Sequence, residues 1–96
     1  MLTRIDNNTV KGSQGYVVRI VDIHYVEYME GLKVAIVEIE GGTDEYDNVE
    51  WLVYRDTLKG WESPYDGINM RDEDQKRILE RISECMTLLK MRYKIV

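Results

Sequence analysis

The stretch Leu32-Lys33-Val34-Ala35-Ile36-Val37-Glu38-Ile39 is the most apolar run in the chain, and its reading decides the fold. It leads through Glu40-Gly41-Gly42-Thr43-Asp44-Glu45-Tyr46-Asp47-Asn48 into Val49-Glu50-Trp51-Leu52-Val53-Tyr54. The outer parts are rich in β-branched and aromatic residues and read as strands, whereas the clusters at 41–44 and 47–48 read as the loop between them. Apolar residues occupy both faces of the first strand: Leu32, Val34 and Ile36 on one, Ala35, Val37 and Ile39 on the other. A strand of that kind is covered on both sides. Between Lys33 and Arg55 the chain has no basic residue, while Glu38, Glu40, Asp44, Glu45, Asp47 and Glu50 are all acidic. The centre of the sheet and the strongest single-sign charge therefore fall in one hairpin, residues 32–54.

Upstream, the expected meander spans residues 1–31. Leu2–Ile5 and Thr9–Lys11 flank the turn sequence Asp6-Asn7-Asn8, and Tyr16–Val21 and Ile23–Met29 form two further strands with Asp22 as a turn or a bulge between them. Glu30-Gly31 links Met29 to Leu32 and suits a hairpin built on a type I turn with a glycine bulge. Downstream, residues 55–68 form a loop around Trp61 and Pro64, in which the indole is expected to pack over the sheet edge.

Residues 69–90 carry the helix signal. Ile78, Leu79, Ile82, Cys85, Met86 and Leu89 make one apolar stripe, Asp72, Glu73 and Asp74 complement the N-terminal dipole, and Asn69 is the expected N-cap with Asp72 in the capping-box position. About twenty residues give ~30 Å of helix, enough to lie across a sheet. Residues 92–96 return as a last strand, whose alternation sets Lys90, Arg92 and Lys94 on one solvated face. The expected fold is thus a single α+β domain over residues 1–96: an antiparallel sheet of about five to six strands, one long C-terminal helix packed across one face, and a short last strand. One helix closes one face. The other is left to the sheet's own curl, to the N-terminal segment or to a partner chain, and should present a tyrosine-rich patch or an oligomer interface.

A chain of 96 residues buries roughly 65% of its surface on folding, enough for a core without staples. The single cysteine, Cys85, forms no internal disulfide and gives no reason to expect an oxidising compartment. Met1-Leu2-Thr3-Arg4-Ile5-Asp6 has no secretory pattern, and no apolar run reaches membrane-spanning length, so the expectation is a cytoplasmic protein without membrane contact. A formal charge of −5 speaks against nucleic acid as a direct ligand.

Catalytic groups are scarce. His24 is the only histidine, Cys85 lies on the apolar stripe, and Gly41-Gly42 lacks the lysine and helix of a phosphate loop. Asp44, Asp47 and Glu50 lack the alternation and sharp glycine of a calcium loop. No enzyme, metal or cofactor reading follows. What remains is the acidic segment, either a solvated hairpin or an electrostatic lure for a basic partner in which Tyr46 and Trp51 supply the anchors.

From Tyr25 onward the layout resembles a family of small bacterial immunity proteins, the antidotes encoded beside polymorphic toxins and contact-dependent growth inhibition toxins. The resemblance is carried by Tyr25-Val26-Glu27, the strand ending Val37-Glu38-Ile39, Trp51-Leu52-Val53-Tyr54, and Trp61-Glu62-Ser63-Pro64 followed by the acidic helix start with Ile78 and Ile82. It implies a protein that binds a cognate toxin domain in the cytoplasm and occludes its active site. Many such toxins are nucleases with basic clefts, for which carboxylates would stand in for phosphates. On that implication the contact residues are Asp44, Glu45, Tyr46, Asp47 and Glu50, with Glu27, Tyr28 and Glu30 as a second set. The competing class is a homodimeric structural or regulatory module that closes its open sheet face with its own copy.

Overall fold

The computed structural model describes residues 1–96. The strands are β1 (Leu2–Arg4), β2 (Thr9–Gly12), β3 (Val17–Ile20), β4 (Tyr25–Glu30), β5 (Lys33–Thr43), β6 (Val49–Tyr54) and β7 (Tyr93–Ile95), with the helix α1 (Asp72–Leu88) between the last two. They form one seven-stranded sheet in chain order. The first six are an antiparallel meander, whereas β7 joins β6 in parallel, with Trp51 opposite Tyr93 and Val53 opposite Ile95. The expectation of an antiparallel sheet of five to six strands is corrected on both points. The N-terminal segment contributes two strands of its own, and a chain that leaves β6 through a helical crossover returns in the same direction.

Side-chain alternation places one row of residues inward. Val10, Val18, Val26, Tyr28, Ala35, Val37, Ile39 and Val53 from the sheet share a single core with Ile78, Ile82, Cys85 and Met86 of α1. Strands β2 and β6 would lie ~19 Å apart in a flat sheet, wider than a helix of about 10–12 Å. Both Val10 and Val53 are nonetheless buried, so the sheet curls about its inner side. The expected packing of α1 flat across one face is therefore met only in part. Its apolar side enters the core, and its nearest strand neighbours are β1, β3 and β4.

The outer row stays half exposed: Met29, Val34, Ile36, Leu52 and Tyr54, with Tyr25 more open. The curl closes the inner side and leaves this face uncovered, with its two tyrosines outward.

Turn chemistry fixes the register. Asp22 is a turn residue whose Oδ1 accepts the N–H of His24 (2.6 Å) and of Tyr25 (3.1 Å), which ends β3 and starts β4. Glu30 pairs with Lys33 across Gly31 and Leu32, and Gly31 has φ +61°. A positive φ at the first central residue marks a two-residue turn of type II′, not the expected type I turn with a bulge.

Helix α1 starts later than expected. Arg71 is the N-cap and donates its N–H to Asp74 Oδ2 (3.0 Å), in place of Asn69 and Asp72. It ends in a Schellman motif: Lys90 N–H reaches Thr87 C=O (3.0 Å) and Met91 N–H reaches Met86 C=O (2.9 Å), with Lys90 at φ +60°. Lys90 therefore belongs to the cap rather than to a strand face shared with Arg92 and Lys94. Trp61 is buried, but in the core against the central strands rather than over the sheet edge, its ring 6.3 Å from that of Tyr28 and under Lys33 Nζ at 4.8 Å. The following residue, Glu62, donates its N–H to Val34 C=O (2.7 Å) and ties the loop to β5.

Candidate functional site

Strands β5 and β6 extend beyond the body of the sheet as an acidic arm. Sequence reading ends β5 near Ile39 and assigns residues 40–48 to a loop. The strand instead runs to Thr43, pairing Gly41 with Trp51, Gly42 with Glu50 and Thr43 with Val49. Glycine is a poor strand former in isolation, but here the ladder to β6 overrides propensity, and the bare Gly41 backbone lies beside the Trp51 ring. A Cβ on Gly41 would lie 3.4 Å from that ring.

At the tip, Asp44 is committed to the turn. Its Oδ1 accepts the N–H groups of Tyr46 (2.8 Å) and Asn48 (3.0 Å), and its Oδ2 lies 3.0 Å from Arg92 Nη2. The hydrogen bond from the Asn48 main chain, aided by that of Tyr46 and by Arg92, holds the carboxyl below the usual range. Glu50 also faces Arg92, at 4.0 Å. Arg92 thus neutralises part of the arm from the C-terminal tail, a contact that sequence spacing did not signal. Asp47, at φ +62°, is the left-handed residue that closes the turn, a conformation Asp tolerates better than bulkier residues. Glu45, Tyr46 and Asp47 point to solvent with no ion pair, Tyr46 at 76% exposure, and Val49 beside them is 62% exposed. Val49 was missed by charge-led reading, although a β-branched residue directly after an Asp-Asn turn was the signal available.

Further down the arm, Glu38 and Glu40 face outward beside Tyr25 and Tyr54. The Tyr54 hydroxyl donates to Glu40 Oε2 (2.6 Å), and that contact raises the phenol above its ordinary pKa. His24 shares this corner with them.

The second set is occupied by the fold. Tyr28 is 0% exposed and presents no surface to a partner. Its hydroxyl donates to Glu30 Oε2 (2.7 Å) and accepts from Arg81 (2.8 Å). Glu30 is also 3.2 Å from Arg77, and Glu27 pairs with Arg19 at 3.0 Å. Burial alone would raise the Glu30 pKa, but the Tyr28 hydroxyl and Arg77 hold it below the usual value. Above Tyr28 the Tyr16 ring stacks at 5.8 Å, and Arg81 lies 4.3 Å over Tyr16. Arg81 also donates to Gln14. This is a closed network within the body.

Cys85 is buried in the core, and burial pushes its thiol up to about 11, far from a reactive thiolate. The largest groove, about 770 Å³ between α1 and β7, is lined by Leu79, Tyr93 and Ile95 with mixed charges from the helix and Arg55. No group of three or more His, Cys, Asp or Glu side chains is arranged to hold a metal ion. No helix is long and apolar enough to cross a membrane.

With this geometry in place, comparison with known proteins matches the chain to a family described as Immunity protein 74, over residues 12–96. Searches of curated proteins and of solved structures return no match.

Proposed function

The chain belongs to the Immunity protein 74 family, and from that premise we propose that it neutralises its toxin by covering a basic active-site cleft with the acidic arm, residues 38–50. Membership makes it an antitoxin with a toxin protein as partner, an inhibitor and not an enzyme. The cleft is that of a nuclease. A site built to hold phosphates offers Lys and Arg in a concave, partly desolvated setting, where carboxylates replace the substrate's charge. The single observation that carries the reading is the arm tip, where Glu45, Tyr46 and Asp47 stand outward and unpaired in a segment with no cation of its own. Charge guides the encounter, and Tyr46 with Val49 supplies the apolar anchor that holds it. Asp44 and Glu50 support the tip through Arg92. Glu27 and Glu30 belong to the body's own ion pairs and Tyr28 to its core, so these stand apart from the contact. The encounter takes place in the cytoplasm, where the toxin acts.

The test is a triple variant, Glu45→Lys with Tyr46→Ala and Asp47→Asn, co-expressed with the toxin domain encoded beside this chain. Asn keeps the left-handed turn while losing the charge. Loss of growth protection at limiting expression is expected, with the dissociation constant raised at least about 100-fold, a change of about 2.7 kcal/mol. The wild-type association rate should fall as salt rises from about 0.05 M to about 0.5 M. Undiminished protection by the triple variant at every expression level would remove the arm as the contact.

A second reading is favoured by the outer face, where Met29, Val34, Ile36 and Leu52 lie half exposed beside Tyr25 and Tyr54. A homodimer would cover that row. Sedimentation tests it: a dimer that persists on dilution assigns the outer face to self-association, and a monomer removes that reading.

A further inference from the structure

Strand β5 outruns β4. Their pairing ends at Tyr25 opposite Glu38, with one more bond from Ile39 N–H to His24 C=O (2.7 Å). Along β5 the odd residues turn their main-chain groups toward β4 and the even ones toward β6 and the chain that follows it. Accordingly Val34 C=O accepts from Glu62, and beyond the strand Asp44 N–H reaches Asn48 C=O (2.9 Å). Continued alternation aims the N–H and C=O of Gly41 and Thr43 at the side where β4 has ended. Both residues are exposed, and no loop, cap or side chain bonds to their main chain. This is an open strand edge in the middle of the sheet, at the root of the acidic arm.

Its two sides differ in chemistry. On the inner side lies Trp51, which together with Ile20, Val21, Ile23, Leu89 and Met91 lines a pocket of about 490 Å³. Ile23 on its rim is 63% exposed. Gly41 leaves the space above Trp51 empty of any side chain from β5. On the outer side stand Glu38 and Glu40. The ends of the sheet are guarded differently: β1 carries Arg4 at its end and β7 carries Lys94, cations that repel a basic strand and block edge pairing. A second copy of this chain docking antiparallel through the same edge, Gly41 opposite its Thr43, would set its Asp44 opposite Glu40, carboxylate against carboxylate, which disfavours self-pairing.

We propose that the Gly41–Thr43 edge receives an extended strand of the toxin, alternately apolar and basic, which continues the line of β4. Its apolar side chains enter the pocket over Trp51, and its Lys or Arg side chains face Glu38 and Glu40. This rests on the acidic-arm reading and deepens it. The tip selects and steers the basic partner, and the open edge fixes its register through main-chain hydrogen bonds.

Amide hydrogen exchange on the intact chain, free and with the toxin domain encoded beside it, reads the edge directly. The Gly41 and Thr43 amides should exchange freely in the isolated chain and slow at least about tenfold in the complex, while Gly42, already bonded to β6, changes less. Thr43→Pro removes the outward N–H without touching the β6 ladder and should weaken binding at least about 30-fold. Thr43→Val keeps the N–H and should stay within about threefold of wild type. A complex in which Gly41 and Thr43 remain unprotected overturns the proposal, as does wild-type affinity in Thr43→Pro. If the tip variant still loses binding in that case, the acidic arm stands without the edge. Concentration-dependent protection of these amides in the chain alone would assign the edge to self-association and equally overturn the proposal. Absence of any complex would remove the reading on which it rests. Should Thr43→Pro unfold the arm, seen as shifted Tyr46 and Asn48 amides, exchange in the wild-type complex decides.

Discussion

The two halves of β5 differ in what surrounds them more than in conformation. From Lys33 to Ile39 the strand has neighbours on both edges, and its inward residues Ala35, Val37 and Ile39 are buried in the core. From Glu40 to Thr43 it keeps β6 alone, and the chain beyond it carries carboxylates, an open tyrosine and no cation. One half is locked by burial and by the Tyr16–Tyr28–Arg81 stack. The other is held by a ladder, an Asp44 turn and one arginine from the tail. On the proposed function, stability and recognition are separated along one strand, so a change in the body should cost folding and leave the arm's chemistry intact, and the reverse should hold for the tip.

The sharpest way to break that division is in the stack. Tyr28→Ala removes a fully buried ring together with its hydrogen bonds to Glu30 and Arg81, with an expected loss of about 3–5 kcal/mol of unfolding free energy in urea titration. Gly12→Ala should cost about 2–3 kcal/mol, because a Cβ there would lie 2.2 Å from the Tyr16 ring, which Tyr28 and Arg81 prevent from moving. Toxin affinity of the folded fraction should be unchanged in both. If either altered affinity as strongly as the tip variant does, body and arm would not be separable.

Most of the body was legible because its signals are periodic. The stripe of Ile78, Ile82, Cys85 and Met86 names the helix's share of the core directly, whereas β5, apolar on both faces, marks the centre of the sheet without saying which row is inward. The parallel return of β7 was not legible, and the curl stood only as one of three alternatives, since both depend on where the crossover lands rather than on any local pattern. The arm was legible in charge but not in shape. Gly41-Gly42-Thr43 has the composition of a loop, and only the pairing with Glu50 and Trp51 makes it a strand. Nor does charge counting distinguish Asp44, spent on its own turn, from Glu45 and Asp47, which are free. Glu27, Tyr28 and Glu30 look like an acidic and aromatic surface in sequence, yet alternation sends Tyr28 inward and supplies Arg19, Arg77 and Arg81 as partners.

Acid gives a milder probe, because both regions rely on carboxylates held below their ordinary pKa. Glu30 serves the body and Asp44 the arm, while Asp6 and Asp74 fix the β1–β2 turn and the helix start. For a group depressed on folding, the stabilisation is complete above the unfolded pKa, near 4, and is lost as pH falls through the folded value. The melting temperature should therefore hold from pH 7 to about pH 5 and decline below about pH 4. Within that decline the Tyr46 and Asn48 amides, whose acceptor is Asp44 alone, should lose exchange protection before the amides of β4 do. Simultaneous loss would show the arm to be as firmly built as the body.

The smallest effect distinguishes the regions through their backbones. Each has one non-glycine residue in the left-handed region, Lys90 in the helix cap and Asp47 in the arm turn. A Cβ-bearing lysine there costs about 1 kcal/mol relative to glycine, whereas Asp is tolerated at lower cost. Glycine also loses more freedom on folding, which offsets part of the gain. Lys90→Gly should therefore raise stability by about 0.5–1 kcal/mol, a shift of roughly 2–8 °C in melting temperature for a domain of this size. Asp47→Gly should leave the melting temperature within about 1–2 °C, since less strain is relieved and the arm contributes little to the cooperative core. Its effect belongs to the partner: loss of a tip carboxylate should slow toxin association while the folded body remains as it was. A melting temperature that instead followed Asp47 and ignored Lys90 would place the stability of this chain in the arm and invert the division argued from β5.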